Sequence, residues 1–524
     1  MLLIRLRSQL GRLSWATALL PFIVVFFSTA FPRLMLIGGP PASDEGCYGF
    51  YSQLINMQIA SGGGLPAEGR LMIYPMLVSW VFSLSFFNHF ILLRLVDLFI
   101  ASVSSWLLYR VLVHECESRL GGALISFVFI YTMNAPLFIQ CGFKNSIFAA
   151  YIPLFLALRL AQSTANSTHK LWGFVGALVA LTLLLRETFI PFLIVGALAI
   201  LVAYGWRSCL RFIVGVVLTG LIITVLIAVA RGSFYSIINS YLNDGHNFSA
   251  IADKRIQSFV SNGILSAREA MVALIFAGVG LIMVIAGLVQ KNSSVTVGRF
   301  AFWLSVAIVP LIEPAAKIGF QYHFAVCLPG LAGLTALGYK LAGTGRDSTA
   351  KLRVVFIAML IGAMFLLPKA MSLANQRTIT RSFLQSVKNG SWPREVIAKS
   401  NYLLAAEAIS KVASPNGTLC VSRFMFPLYI LTGMFPPNNE LVSLNAVLYK
   451  LDFDEARFKR ALLASPPDVL MTSTATDWPG EEIVTKVVIS TGLYEPVATI
   501  PEIPSNSYGF LGGTIYRRIN PVRK

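Results

Sequence analysis

The stretch Gly38-Gly39-Pro40-Pro41-Ala42-Ser43-Asp44-Glu45 decides how this chain is read. An apolar run ends just before it at Ile37, and two adjacent carboxylates follow the turn at once. An unpaired carboxylate is costly to bury, and the apolar stretches of the chain are otherwise almost free of acid. Two explanations stay open. Ser43 can cap a helix whose first turn carries Asp44 and Glu45, where acids complement the helix dipole. Or the pair lines the floor of a water-facing cavity and takes a proton from a hydroxyl group. A carboxylate placed beside a hydroxyl acts as a general base, and partial burial raises its pKa toward working pH. The second acid can then hold the hydroxyl-bearing molecule or a divalent ion.

The 524 residues exceed one ordinary soluble domain. A 56% hydrophobic share and a mean hydropathy of +0.70 place the chain among polytopic membrane proteins. The net charge of +18 raises the question of nucleic acid. The basic residues sit mostly in short loops between apolar runs, which is a topology signal. No run interleaves basic and aromatic residues, so a nucleic-acid partner is not expected. The six cysteines form no CxxC pair and no ligand spacing with the five histidines, so no zinc or haem site is read. Cys47, Cys141 and Cys420 fall on the expected outer side, where a disulfide is chemically allowed.

Arg5, Arg7 and Arg12 precede the first apolar run, about 15–37. A signal peptide competes with an uncleaved first span, and the span is preferred because the run is long enough to cross a bilayer. The segment 72–87 sets the topology. It is apolar, broken by Pro75 and short for a span. The pairs Arg110 and Arg119, Arg159 and Lys170, Arg207 and Arg211, and Lys291 and Arg299 recur at every second loop, followed by Lys340, Arg346, Lys351 and Arg353. All lie in the cytoplasm only if 72–87 rests along the outer interface. Further spans are then expected near 90–113, 122–140, 145–163, 171–186, 189–205, 209–230, 271–290, 300–316, 323–342 and 353–371. Together these make roughly eleven, with a cytoplasmic N-terminus and an outer C-terminus.

The expected fold is an all-α polytopic membrane domain over 1–371, with juxtamembrane helices in an outer loop at 38–89. A second outer segment, 231–270, is read as a charged surface loop around Asp244, His246, Asp253, Lys254 and Arg255. Residues 372–524 read as an extracytoplasmic α/β domain. Helices are expected at 402–413 and 454–464, and β-branched runs at 418–421, 468–472, 483–490 and 513–516. Asp452-Phe453-Asp454 looks like a metal-binding DxD, but it precedes an apolar-periodic run and Asp452 reads as a helix N-cap. No internal repeat is visible, which weakens a secondary-transporter reading.

Several cations fall at expected outer membrane ends: Arg70, Arg94, Lys144, Arg186 and Lys317, with His323 nearby. Such donors suit a phosphate on which charge develops. Ordinary snorkelling is the alternative for Lys144. Arg186-Glu187 interrupts an unbroken apolar stretch, so Arg186 is the stronger candidate. Arg94 and Asp97 stand three apart on one helix, so pairing with each other is the alternative reading of Arg94.

Asp44-Glu45-x-x-Tyr48, Ala60-Ser61-Gly62, Tyr74-Pro75 with Trp80, and Asn88-x-Phe90-x-x-x-Arg94 together resemble the N-terminal module of GT-C membrane glycosyltransferases. The aminoarabinose transferase of lipid A and the protein O-mannosyltransferases are the relatives they look like. The likeness covers roughly 1–205. Leu184-Leu185-Arg186 and Lys317-x-x-x-x-Tyr322-His323 with Pro329 resemble later family motifs. The resemblance implies inverting transfer of a sugar from a polyprenyl-phosphate donor to an outer-face acceptor, be it glycan, lipid or protein, at the inner membrane of the cell envelope. It matches Asp44 to the family's catalytic acid, with Glu45 beside it, and Arg186 to a residue near the donor phosphate. Lys317, Arg70 and His323 join Arg186 as phosphate candidates, and Tyr48, Arg94, Lys144 and Tyr322 are candidate substrate contacts. No cofactor is required by these motifs; Mg2+ or Mn2+ is the one candidate cation. The loop 140–145 lacks the acid that relatives carry, and Ile73 stands where they have Lys. Both departures speak against aminoarabinose on lipid A and against a metal. A lipid-linked glycan flippase and a polysaccharide polymerase or ligase remain as other readings. A transporter would place charges near mid-membrane, whereas here they gather at one face.

Overall fold

Apolar sequence of this density folds as helices, because a helix satisfies its backbone N–H and C=O groups internally where water is absent. The computed structural model describes residues 19–60, 73–84, 88–139, 146–164, 171–186, 189–231, 255–291, 294–316, 321–342, 392–414, 416–422, 425–438, 441, 455–474, 481–502 and 512–519. Helix α1, Leu19–Leu36, contains a π-turn at Phe26–Ala30. Next come α2 (Ser43–Ala60) and the short α3 (Ile73–Val78), which tightens into a 3-10 turn at Ser79–Ser83. Helix α4 (His89–Cys116) starts under Asn88, whose side chain accepts from the Phe90 N–H at 2.9 Å. Helix α5 (Arg119–Met133) is capped by Ser118. Then follow α6 (Ser146–Thr164), α7 (Leu171–Leu185), α8 (Ile190–Tyr204), α9 (Trp206–Arg231), α10 (Arg255–Glu269), α11 (Met271–Lys291) and α12 (Ser294–Ile308). A 3-10 turn at Gln321–Cys327 leads into α13 (Leu328–Ala342).

Five of these helical stretches are long and apolar enough to cross a membrane: Leu19–Leu36, His89–Cys116, Trp206–Ala230, Met271–Val289 and Gln321–Leu341. Shorter apolar helices, such as Arg119–Met133 and Leu171–Leu185, stand between them. The chain is therefore a helical membrane protein. The span expected at 353–371 lies outside the described residues. One expectation is corrected. The segment 231–270 is not all loop, because α10 occupies Arg255–Glu269. Its Ser266 hydroxyl donates to the Gln321 carbonyl at 3.1 Å, and the Gln321 amide donates to Asn262 Oδ1 at 2.8 Å. These bonds fasten it to the turn that carries Tyr322 and His323.

Beyond residue 392 the chain builds a four-stranded sheet in the order β1-β2-β4-β3. Its strands are β1 (Leu419–Val421), β2 (Val469–Ser473), β3 (Tyr494–Ile500) and β4 (Gly513–Arg518). β1 and β2 run parallel, and β4 is antiparallel to both β2 and β3. The helices here are α14 (Asn401–Val412), α15 (Pro427–Thr432), α16 (Glu455–Ala464) and α17 (Glu481–Ser490). α17 overturns the strand expected at 483–490. Val484, Val487 and Val488 are buried on one helical face, and Glu482 pairs with Lys486 at 3.9 Å. Periodicity outweighed β-branched propensity there. β3 was not foreseen, because Pro496 interrupts it. It is an edge strand with an irregularity between Pro496 and Ala498, a position where proline is tolerated.

Helix α2 joins the two parts. Phe50 is fully buried in the core beneath the sheet, with ring centroids 4.6 Å from Tyr429 and 5.4 Å from Phe426. Two glycines permit this approach. A Cβ on Gly46 would stand 2.3 Å from the Pro427 ring, and one on Gly49 would stand 2.4 Å from Ile430 Cδ1. Elsewhere on α2, Tyr48 meets Tyr74 of α3 edge to face at 5.5 Å.

Candidate functional site

Asp44 and Glu45 both lie in the first turn of α2, as the helix-start reading requires. Glu45 is buried, and the Arg94 guanidinium grips it. Arg94 Nε donates to Glu45 Oε1 at 2.6 Å, and Nη2 donates to Oε2 at 2.8 Å. The remaining Arg94 donors reach the backbone carbonyls of Ile37 (2.6 Å), Gly39 (2.7 Å) and Pro40 (3.2 Å). All five guanidinium N–H groups thus have acceptors, and the Trp392 ring lies 5.7 Å away. Arg94 therefore holds the turn 37–40 and the first turn of α2 in one grip. The carboxylate's other neighbour is the Ala42 N–H, which donates to Oε2 at 3.3 Å. Burial pushes the Glu45 carboxyl up from its ordinary range, and the Arg94 charge pulls the other way.

This geometry bears on two candidate residues. Arg94, read from the sequence as a substrate contact, has all five N–H groups engaged within the protein, where they hold the turn. Glu45, read from the sequence as the second acid of the pair, has both oxygens engaged. The alternative reading of Arg94, a pair with Asp97, is overturned. Asp97 turns to Arg33 of α1, which donates to it through Nη1. Arg33 Nε donates to Asn134 Oδ1 at 2.6 Å, and its guanidinium lies 4.6 Å from the Phe148 ring centroid. Neighbouring turns of α4 therefore anchor two buried ion pairs with different partners. Nothing in the local spacing betrayed Arg33 or Asn134, which lie 64 and 101 residues from their partners.

Tyr48 and Tyr74 form an aromatic layer with Leu93, Val96, Ile100 and Leu185. Leu185 ends α7 and immediately precedes Arg186, so Arg186 adjoins this layer by its chain position. Arg186 is itself buried, and its N–H donates to the Thr182 carbonyl at 2.9 Å. Tyr322 and His323 are buried side by side, with ring centroids 4.2 Å apart. Arg70, Lys144 and Lys317 lie outside the described residues, as do Asp452 and Cys141. Cys47 and Cys420 are not joined to each other in a disulfide.

Among the described residues no group of three or more His, Cys, Asp or Glu side chains could hold a metal ion. Glu45 is taken by Arg94 and Asp97 by Arg33. No family model and no curated protein matches the sequence.

Proposed function

We propose that this chain is an inverting membrane glycosyltransferase that uses a polyprenyl-phosphate sugar, with Asp44 as the base. The observation that carries the reading is the grip of Arg94 on Glu45. It commits Glu45 to fixing the start of α2, and in this reading Asp44, its neighbour in sequence on the same turn, is the acid that acts. In the proposed step an acceptor hydroxyl oxygen attacks the anomeric carbon. The bond from that carbon to the phosphate oxygen breaks, polyprenyl phosphate leaves, and the hydroxyl proton passes to Asp44. Arg186, next to the Tyr48–Tyr74 layer, is placed in this reading beside the departing phosphate, where positive charge favours the developing anion. His323 and Tyr322 join it there. Residues 1–371 form the membrane domain with roughly eleven spans, and the N-terminus is cytoplasmic. The sheet-bearing segment is extracytoplasmic, and the acceptor is an envelope glycan, lipid or protein.

The test is transfer from a radiolabelled polyprenyl-phosphate sugar. Asp44→Asn is expected to abolish product while leaving membrane insertion and thermal stability intact. Normal turnover in that variant rules out the base assignment.

A further inference from the structure

The far end of α4 holds a second polar cluster, roughly 30 Å from Arg94 at the helical rise per residue. It plays no part in the proposed transfer. His114 and Glu115 stand on the last turn of α4, and α6 brings Arg159 and Gln162. Arg299 comes from α12 and Lys340 from α13. Glu115 is buried, with Oε1 3.9 Å from Arg299 Nη1, and its carboxyl lies beside Trp303 and Gln162. Lys340 Nζ stands 2.7 Å from Glu117 Oε1. His114 sits in the field of Arg159, Arg299, Lys340 and Glu117.

Four solvent-shielded atoms here have no hydrogen-bond partner among the described residues: Arg159 Nη1, His114 Nδ1, Glu115 Oε1 and Gln162 Oε1. Buried polar atoms in folded proteins are normally satisfied, so orphans gathered at one place point to a polar partner that the described residues do not supply. The Arg159 donor calls for an acceptor oxygen, while Gln162 Oε1 calls for a donor. No described acid pairs with Arg159, so the guest is an anion. A phosphodiester that also carries hydroxyl groups satisfies both demands. The location favours a lipid over a free ion. One turn back on α4, Arg110 stacks 5.7 Å from the partly exposed ring of Trp106, and Leu120 of α5 is exposed nearby. Aromatic and basic residues side by side on an outward surface mark the headgroup level of a bilayer, and basic pockets between helix ends accept anionic headgroups.

We propose that this cluster binds the headgroup of an anionic glycerophospholipid, in the leaflet opposite Asp44. The experiment uses the full chain in neutral detergent after delipidation. Phosphatidylglycerol, phosphatidylcholine and inorganic phosphate are added in separate arms, with native mass spectrometry and thermal melting as readouts. Phosphatidylglycerol is expected to give a one-to-one adduct and a higher melting temperature, and the other two neither. Arg159→Gln is expected to weaken binding by about fivefold or more; Arg110→Gln is expected to leave it unchanged. Should Arg159→Gln fail to fold, Arg299→Gln at the half-exposed rim supplies the same comparison. The proposal is overturned by the absence of an adduct, by equal binding in the folded Arg159 or Arg299 variant, or by inorganic phosphate matching the lipid.

Discussion

Both carboxylate oxygens of Glu45 accept from the Arg94 guanidinium, 49 residues further along the chain. The same guanidinium closes three backbone carbonyls of the turn that leads to Glu45. A buried ion pair of this kind adds little net stability over an apolar pair, because desolvation offsets much of the attraction. Its value is geometric. Only one path of the chain through residues 37–45 satisfies every donor at once.

Breaking the pair on one side is therefore expected to be severe. Arg94→Ala or Glu45→Ala leaves a buried charge alone and should cost about 3–5 kcal/mol, read as a lower melting temperature in detergent. Arg94→Lys keeps the charge but loses the planar fork, and is expected to rescue little. The Glu45→Ala, Arg94→Ala double variant should lose less than the sum of the singles. Additive losses would show that the two side chains do not act as a unit.

The seat of α2 against the sheet segment predicts a steric effect. Gly46→Val and Gly49→Leu place carbon where Pro427 and Ile430 already stand. A proline ring is part of the backbone and yields poorly, so Gly46→Val should be the worse of the two. Losses of about 1–3 kcal/mol are expected from overpacking, together with faster limited proteolysis of the segment after residue 392. Gly278→Ala is the control, because nothing lies within 4 Å of its added methyl. Unchanged proteolysis in Gly46→Val would mean that this contact does not hold the two parts together.

Cys420 lies buried on the strand Leu419–Val421, and burial pushes its thiol up to about 12. The thiolate is the reactive form, so N-ethylmaleimide at neutral to mildly alkaline pH should leave Cys420 unmodified in the folded protein. Its labelling should not rise across that pH range, since the thiol's titration lies well above it. Denaturation in detergent should restore labelling. Rapid modification of folded protein, read by peptide mass, would contradict the buried placement.

Much of the architecture was legible along the chain. The apolar runs predicted helices within a few residues of those at His89–Cys116, Leu171–Leu185 and Met271–Lys291. In the sheet segment, the helix Asn401–Val412 and three of the four strands followed local pattern. The failures have local causes. Ile483 to Ser490 is rich in β-branched residues, yet its valines recur on a helical face. β3 contains a proline that only an edge strand accepts. The helix Arg255–Glu269 was masked by charges at its ends. In the candidate site, the adjacency of Asp44 and Glu45 and the isolation of Arg186 were plain to read. The hold of Arg94 on Glu45 was not.

That this chain carries helices long and apolar enough for a membrane was legible in residue order alone, because hydropathy acts over windows of neighbouring residues. Which cation meets which acid was decided only in three dimensions. Arg94 lies three residues from Asp97 but pairs with Glu45, and Asp97 pairs with Arg33. A buried charge must be matched by whatever partner and carbonyls the folded helices bring within bonding distance. That set depends on helix packing, and sequence spacing does not record it.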